Sequence, residues 1–382
     1  MYHILYMLSF IITDEITKKL KHVSELTADK ASYLHSLSPE YRESIHRYAR
    51  ISTIGSTTRI ENAILTDPEI KWLDATLSAD GRPTAFFKEK KYIEDKLSKE
   101  RERSIEEVAG CRDMLAIIYT QASDLFPLTE TAIKGLHKEL LQFYPPAVHY
   151  LGKYKIVPNN VVETVAGTNI KKDILKTCDP GPITDSAMRD LVDWYNKTLP
   201  EHPWPIAVAS EFVFRFLAIH PFQDGNGRIG RALFALALLQ SNDKNIKIVI
   251  PYIAVDRHIE KHKEEYYHVL RRCSDGKFSQ DPKKYRLEYF LTFILKMLEE
   301  AIGNDIDFYA GKHSSFMNLA DAPRKVLSCF EHYPEKKLAL KDVVEQTKIS
   351  RRTVIHALNV LVKKSFLQKS GTGPATKYQI TF

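Results

Sequence analysis

One short segment of the chain gathers residue types that act on phosphate groups. It runs from His220 to Arg231 and reads HPFQDGNGRIGR. A neutral histidine can accept a proton from an attacking hydroxyl, and Asp224 could hold Mg²⁺, an ion that favours a carboxylate together with phosphate oxygens. Arg228 and Arg231 are three residues apart, so both could face one anion from the first turn of a helix. This set of residues predicts phosphate-centred transfer chemistry.

The middle of the segment is a Gly-Asn-Gly turn that leads into an apolar helical pattern. Gly225 and Gly227 allow backbone N–H groups to turn toward one point, where a helix N-terminus adds partial positive charge. A tight interhelical turn, capped by the aspartate and the asparagine, is the alternative interpretation. That alternative does not explain why a histidine, an aspartate and two arginines meet at one turn.

The segment resembles the signature of the Fic (Fic/Doc) family, HPFxDGNGRxxR, and matches it at every fixed position. The resemblance extends from about residue 110 to about residue 275. It includes Gly152-Lys153-Tyr154-Lys155, which is similar to the family's flap region, where arginine is commoner than lysine at position 155. The resemblance implies a mainly α fold, with a Fic-type helical core and a β-hairpin flap. It also implies a protein adenylyltransferase, an enzyme that moves AMP from ATP to a Ser, Thr or Tyr hydroxyl of a protein.

The resemblance further implies roles for individual residues, with ATP as substrate and Mg²⁺ as cofactor. His220 would be the general base, and Asp224 the metal ligand. Arg228 would bind phosphate, and Arg231 would bind the γ-phosphate. The implied nucleotide-binding residues are Asp224, Gly225, Asn226, Gly227, Arg228, Ile229, Gly230, Arg231, Tyr266 and Tyr267.

Two further parts of a substrate site follow from the same resemblance. Tyr266 and Tyr267 would line the adenine pocket, although two aromatic residues on a helix also fit a plain core. Asn160, Val161 and Val162 would form the flap edge, to which a target protein adds a strand.

The segment from Ser56 to Asn62 resembles the family's inhibitory motif, [S/T]xxxE[G/N], with Thr57, Glu61 and Asn62 at the fixed positions. We expect it to lie on an inhibitory helix over about residues 56–66. By this resemblance Glu61 would pair with Arg231 and keep that arginine from clamping the γ-phosphate. In some relatives the same glutamate supports removal of AMP from the modified protein.

Glu61 also has a purely structural interpretation. Thr58 and Glu61 have the spacing of a capping box at the start of a helix, and this alone could account for the glutamate. The intact catalytic segment elsewhere in the chain favours the inhibitory interpretation.

The last part of the chain differs from the rest in charge. Residues 323–382 carry 12 Lys and Arg against 4 Asp and Glu, so they hold the whole basic excess of a chain whose net charge is +7. Their pattern resembles a winged helix-turn-helix, with three helices and a C-terminal hairpin. Arg351, Arg352 and Thr353 would begin the third helix and contact DNA. A protein-contact or dimerisation module is an equally good interpretation, since a basic face is necessary for DNA binding but not sufficient.

The sequence predicts four successive regions. They are an N-terminal helical region (1–105), a Fic catalytic core (106–302), a connector (303–322) and a winged-helix domain (323–382). Apolar periodicity predicts helices over 205–219, 255–272 and 285–301 and after residue 229, and strands over 148–162 and 246–250 and at the C-terminus.

Composition excludes several classes of protein. No apolar run approaches the roughly 18 residues of a membrane-spanning helix. The apolar N-terminal stretch MYHILYMLSFII lacks the basic start of a signal peptide, which predicts a buried first element in a cytoplasmic protein with no membrane partner. Four cysteines lie far apart, which excludes a disulfide framework or a zinc site.

Several functions stay open at this point. The expected partner is a protein substrate with an exposed hydroxyl, including the chain itself, and a homodimer is also open. UMP, phosphate or phosphocholine transfer and de-AMPylation would use the same fold. A DNA-binding regulator whose Fic core senses a nucleotide is the alternative outside enzyme chemistry.

Overall fold

The computed structural model describes residues 8–78, 85–164 and 171–381. Within these ranges the chain folds into sixteen α-helices and five short β-strands. The helices are α1 (Asp14–Ser36), α2 (Pro39–Ile60), α3 (Asp67–Ser78), α4 (Ala85–Leu97), α5 (Glu102–Gln121), α6 (Glu130–Leu141), α7 (Pro182–Thr198), α8 (Pro205–Ile219), α9 (Asn226–Gln240), α10 (Lys244–Val249), α11 (Val255–Lys261), α12 (Lys263–Ser274), α13 (Leu287–Met317), α14 (Asp321–His332), α15 (Leu340–Thr347) and α16 (Arg351–Lys363). The strands are β1 (Asn160–Thr164), β2 (Lys171–Lys176), β3 (Leu338–Ala339), β4 (Leu367–Ser370) and β5 (Lys377–Ile380). The expected mainly α fold class is confirmed.

Two helices, α8 and α9, pack against each other, and most residues of both are buried. α8 is buried on nearly every side, including Phe212, Phe214 and Phe216, as expected of a helix that is apolar all round. α2 packs against α5, α11 and α13 and also reaches α9. The segment that joins α8 to α9 is therefore held between rigid helices, and the end of α2 lies close to it.

The structure confirms some helix predictions and changes others. α8 has the predicted bounds, 205–219. The helix predicted over 255–272 is divided at His262 into α11 and α12. Most of the apolar N-terminal stretch lies outside the described residues, and Leu8 is buried. Across the described ranges, no helix is both long enough and apolar enough to span a bilayer.

Two strand predictions are wrong. The β-branched run over 246–250 is the helix α10 and the short 3₁₀ turn after it, because Asp243 caps α10 and its apolar residues Ile246 and Val249 are both buried. Over 148–162, strand structure begins only at Asn160. The residues before it include the end of a 3₁₀ turn, Pro145–His149, and Gly152, whose positive φ of 64° is incompatible with a strand. β1 pairs antiparallel with β2 and forms a hairpin.

The predicted connector, 303–322, is helical over most of its length, because α13 continues to Met317. Its glycines do not interrupt the helix, and a Cβ added at Gly303 or Gly311 would meet no other atom within 4 Å. Tyr309 and Ala310 pack in one cluster with residues of α2. The domain boundaries themselves stay predictions.

The C-terminal elements have their own apolar core. α14, α15 and α16 bury Val326, Phe330, Val343, Val354 and Leu358 together. The sheet has the order β3-β5-β4, and both of its pairings are antiparallel. Three helices and a C-terminal hairpin are thus present where the sequence predicts them, while the winged helix-turn-helix stays a prediction.

Candidate active site

The helix α8 ends at His220, whose backbone adopts the left-handed conformation (φ 53°, ψ 58°). This turn and Pro221 stop the helix and direct the chain into the loop. The His220 Nδ1 lies 3.2 Å from the carbonyl oxygen of Leu217, and a carbonyl only accepts, so Nδ1 carries the proton. Burial and the nearby Lys155 ammonium lower the pKa of His220 to about 4. The imidazole is therefore neutral near pH 7, with Nε2 as the acceptor.

The loop is held in shape by Asn226. Its Oδ1 accepts from the Phe222 N–H at 2.9 Å, and its Nδ2 donates to the Phe222 carbonyl at 2.7 Å. Both polar atoms of this buried side chain are thus engaged within the loop. The nucleotide-binding role implied for Asn226 stays a prediction, and the first backbone N–H groups of α9, which have no acceptor within the helix, lie at the same turn.

Arg228 is buried, yet part of its guanidinium has no hydrogen-bond partner. Its Nη2 lies 3.3 Å from Asp224 Oδ1, and its Nη1 lies 3.5 Å from Glu107 Oε1. The Nε and Nη1 atoms form no hydrogen bond. Because buried donors are nearly always paired, these two are exceptions that a water molecule or a ligand could satisfy.

Asp224 is the candidate metal ligand. Its Oδ1 accepts from the Gly225 N–H at 2.6 Å, and its Oδ2 lies 3.7 Å from Arg103. The side chain is one-third exposed to the cavity. In the described part of the chain no cluster of three or more His, Cys, Asp or Glu residues could hold a metal. A single carboxylate can hold Mg²⁺ only if phosphate oxygens and water supply the remaining ligands.

Arg231 is bound by the C-terminal end of α2. Its Nε donates to Thr57 Oγ1 at 2.8 Å, and its Nη2 donates to the Thr57 carbonyl at 2.9 Å and to Glu61 Oε1 at 2.8 Å. Burial opposes ionisation of Glu61, but Arg231 and Arg228 outweigh it and lower the pKa of this carboxyl. The three predicted residues Thr57, Glu61 and Arg231 are thus brought together as one contact.

The Glu61 carboxylate also covers the start of α9. A Cβ added at Gly227 would collide with Glu61 Oε1, so only glycine allows the carboxylate to approach the helix backbone this closely. Carboxylates are favourable at a helix N-terminus for the same reason that phosphates are.

The capping-box interpretation of Glu61 is wrong. Thr58 and Glu61 lie at the C-terminal end of α2, and the Thr58 hydroxyl donates to Ile54 and Gly55 carbonyls in the same helix. The predicted bounds of the inhibitory helix, 56–66, are also wrong, since α2 runs over Pro39–Ile60. Asn62 follows with a positive φ of 74° and stops the helix.

A cavity of about 420 Å³ joins these groups. This volume lies within the roughly 300–1,000 Å³ typical of ligand sites. Predicted residues that line it are Asn62, Asn160, Val161, Val162, His220, Asp224, Gly225, Asn226, Gly227, Arg228, Arg231, Tyr266 and Tyr267, together with Glu61. Ile229 and Gly230 do not line it. Ile229 is fully buried, and Gly230 packs on Leu217 in the contact between α8 and α9.

The segment from His220 to Arg231 lies in a part of the chain that matches a known family. Residues 127–238 match the model of the Fic/DOC family. The chain contains a Fic/DOC family domain. Protein adenylyltransferase Fic of Drosophila willistoni is 30% identical over 99 residues, which cover 25% of this chain and 18% of that protein. A Fido domain-containing protein of Dictyostelium discoideum is 44% identical over 57 residues, 15% of this chain and 40% of the relative. The chain thus matches less than half of either relative.

Solved structures show the same fold. A Fic family protein from Desulfovibrio desulfuricans superposes with a TM-score of 0.57 at 22% identity and covers 98% of both chains. A Fic domain containing signaling protein from Bacteroides thetaiotaomicron gives 0.53 at 22% identity, over 77% of this chain and 98% of that one. Fic-1 from C. elegans gives 0.54 at 20% identity, over 78% and 73%.

Lys155 connects the β1–β2 hairpin to the segment from His220 to Arg231, called the Fic loop below, and the sequence alone does not predict this role. Its buried Nζ donates to Asn159 Oδ1 at 2.8 Å, Thr177 Oγ1 at 2.9 Å and the Ile219 carbonyl at 3.1 Å. Asn159 precedes β1, Thr177 follows β2, and Ile219 precedes His220. Burial lowers the pKa of Lys155 to about 8. The resemblance marked this position only as a departure from arginine.

His137 of α6 also supports the Fic loop. The Gly152 N–H donates to its Nδ1 at 3.0 Å, so its Nε2 carries the proton and lies 3.1 Å from the Asp224 carbonyl oxygen. Its ring stacks on Phe222 with centroids 4.0 Å apart. Burial lowers the pKa of His137 to about 4, so it stays neutral. A lone histidine in a helical pattern gave no signal for this role.

Proposed function

We propose that this chain is a self-inhibited protein adenylyltransferase that transfers AMP from ATP to a Ser, Thr or Tyr hydroxyl of a protein. The observation that carries the proposal is the 2.8 Å contact of Glu61 with Arg231, in the same cavity as the acceptor nitrogen of His220. A relative of this domain named protein adenylyltransferase Fic supports the reaction class.

In this proposal His220 is the general base. Its Nε2 accepts the proton of the target hydroxyl as that oxygen attacks the α-phosphorus of ATP, and pyrophosphate leaves. The Nδ1–H contact with Leu217 fixes the tautomer that this step needs.

Arg228 and the start of α9 would bind the phosphates. The Nε and Nη1 donors of the buried Arg228, which form no hydrogen bond, would each gain an acceptor, which removes the penalty of leaving them unsatisfied. Asp224 would hold Mg²⁺, which supplies positive charge to the phosphate oxygens when bound. Arg103 would have to release Asp224 in part, and its long contact of 3.7 Å is weak enough to allow this.

Glu61 would inhibit by competition. Its carboxylate lies over Gly227 and on Arg231, the positions that favour the terminal phosphates of ATP. ATP could then bind only with its phosphates displaced, and a misplacement of about 1 Å can lower the rate about 10²-fold.

The flap would bind the target. Val161 and Val162 face the cavity, and in the described part of the chain β1 pairs with β2 on one side only. A target segment that adds beside β1 would bring its hydroxyl toward His220.

Incubation with ATP labelled on the α-phosphate tests the reaction. We expect Glu61→Gly to label itself or a protein in a lysate, whereas the double variant Glu61→Gly, His220→Ala should not. The same label placed on the γ-phosphate should not be transferred. Transfer of the γ-label would instead indicate phosphate transfer.

A second candidate function concerns the C-terminal unit, which we propose binds DNA. Arg351 and Arg352 are exposed on the first turn of α16, while Ser350 caps that helix. Thr353 is less suited to a DNA contact, because its hydroxyl lies 2.8 Å from Ser350 Oγ. Replacing both arginines with alanine should weaken DNA binding and reduce its salt slope by about 0.9 per lost phosphate contact. A native chain without DNA affinity at low salt would favour the protein-contact module.

A further inference from the structure

A second cavity lies between α3 and the C-terminal unit, and we call it the α3 groove. Its volume is about 260 Å³, and its walls include Trp72, Ala75, Lys312, Phe316 and Phe366. None of its lining residues belongs to the active-site cavity. Because the pockets that bind drug-sized ligands measure roughly 300–1,000 Å³, this smaller groove suits a smaller molecule, of one or two rings.

The groove combines aromatic walls with a lysine, Lys312, that has no ion-pair partner among the described residues, although Glu331 also lines the groove. Lys71, at one side, is paired with Glu331 at 3.0 Å. Lys312 forms no ion pair among the described residues, and its Nζ donates only to the Ser365 carbonyl at 3.2 Å. The same Nζ lies 5.7 Å from the Phe366 ring centroid. Burial and the neighbouring cations Lys71 and Arg257 lower the pKa of Lys312.

The wall of the groove is also joined to the inhibitory contact. α3 begins at Asp67, whose Oδ1 accepts from Arg59 Nη1 at 2.7 Å. Gly55 of α2 packs so closely on this carboxylate that a Cβ there would collide with it. Arg59 also donates to Glu260 at 2.7 Å and lies two residues before Glu61. A movement of α3 would therefore reach the end of α2.

We propose that the α3 groove is an effector site for a small planar anion, with Lys312 binding the charge and Trp72, Phe316 and Phe366 binding the ring. The proposal has a second part, which rests on the proposed function: a ligand bound in the groove alters the contact between Glu61 and Arg231. A ligand can shift that contact only by binding its two states unequally, and the joined helices give it a route to do so.

Naphthalene-2-sulfonate, a fluorescent and planar anion of two fused rings, is a dye that tests the site directly. Titration of the full chain should show saturable binding, and Lys312→Ala should weaken it at least about tenfold, or about 1.4 kcal/mol. Ala75→Trp, which fills the groove from an exposed position, should do the same. Lys369→Ala removes an exposed lysine of the same unit and should bind the dye like the native chain. Equal affinity in the native chain and all three folded variants would overturn the site. If Ala75→Trp does not fold, the comparison of Lys312→Ala with the native chain decides.

The same dye tests the coupling. AMP incorporation by the native chain should change with a midpoint at the dye concentration that half-saturates the fluorescence, and Glu61→Gly should not respond. Dye binding without a change, in a chain whose Glu61→Gly variant is active, would overturn the coupling. An inactive Glu61→Gly variant would instead contradict the proposed function, while the fluorescence titration would still decide the site.

Discussion

The two arginines of the Fic loop stand three residues apart in the same helix and are in opposite states. Arg228 is buried with two nitrogens that lack hydrogen-bond partners. Arg231 is equally buried but forms three hydrogen bonds to the end of α2. One arginine is thus prepared for a ligand, whereas the chain itself supplies the ligand of the other. For the proposed adenylyltransferase, the difference predicts that binding of the nucleotide and its productive alignment are controlled separately.

Removal of the base should have the largest effect. In the Glu61→Gly background, His220→Ala should lower AMP transfer about 10²–10⁴-fold, the usual contribution of a general base. ATP affinity, measured by calorimetry, should stay nearly constant because the imidazole does not contact the proposed phosphate donors. Comparable AMP incorporation with and without His220 would contradict its assignment as base.

Arg228→Ala should have the next largest effect, and it tests whether Arg228 differs in role from Arg231. If its unpaired donors bind phosphate, their loss should weaken ATP binding about 10- to 100-fold, since a charge-assisted hydrogen bond is worth about 1.5–3 kcal/mol. The effect should be present in the native and Glu61→Gly backgrounds alike, because Glu61 does not occupy those donors. Calorimetric titration with ATP measures it, and thermal melting shows whether the variant is folded. Unchanged affinity would mean that the donors serve another ligand.

The pH dependence of stability gives the smallest expected effect. The pKa of Glu61 is lower in the folded chain than the usual 4.5. Its ion pair therefore stabilises the fold above pH 4.5, and the contribution is lost as the pH falls through the folded value. Compared with Glu61→Gln, the native chain should melt higher at pH 7, and the difference should shrink in acid. A difference that grows in acid would show that Glu61 is not bound as a carboxylate.

The sequence predicts the local parts of this site better than the contacts between distant segments. The loop was predictable because its residues are adjacent, and helix α8 was predictable from its continuous apolar pattern. The pairing of Glu61 with Arg231 spans 170 residues, and only the resemblance to the Fic family suggested it. Lys155 and His137 were missed because their roles depend on tertiary contacts. The strand prediction over 246–250 failed for a local reason: Asp243 caps a helix, and the β-branched residues that follow it are helical.

Release of Arg231 from Glu61 tests the central claim most directly. AMP incorporation should be compared in the native chain, Glu61→Gly, and Glu61→Gly with Arg231→Ala, under identical ATP and Mg²⁺. Competition for one guanidinium predicts that Glu61→Gly raises incorporation about 10- to 100-fold, since the lost pair is worth about 1.5–3 kcal/mol. Arg231→Ala should remove that gain. A folded Glu61→Gly chain that is no more active than the native one would contradict self-inhibition.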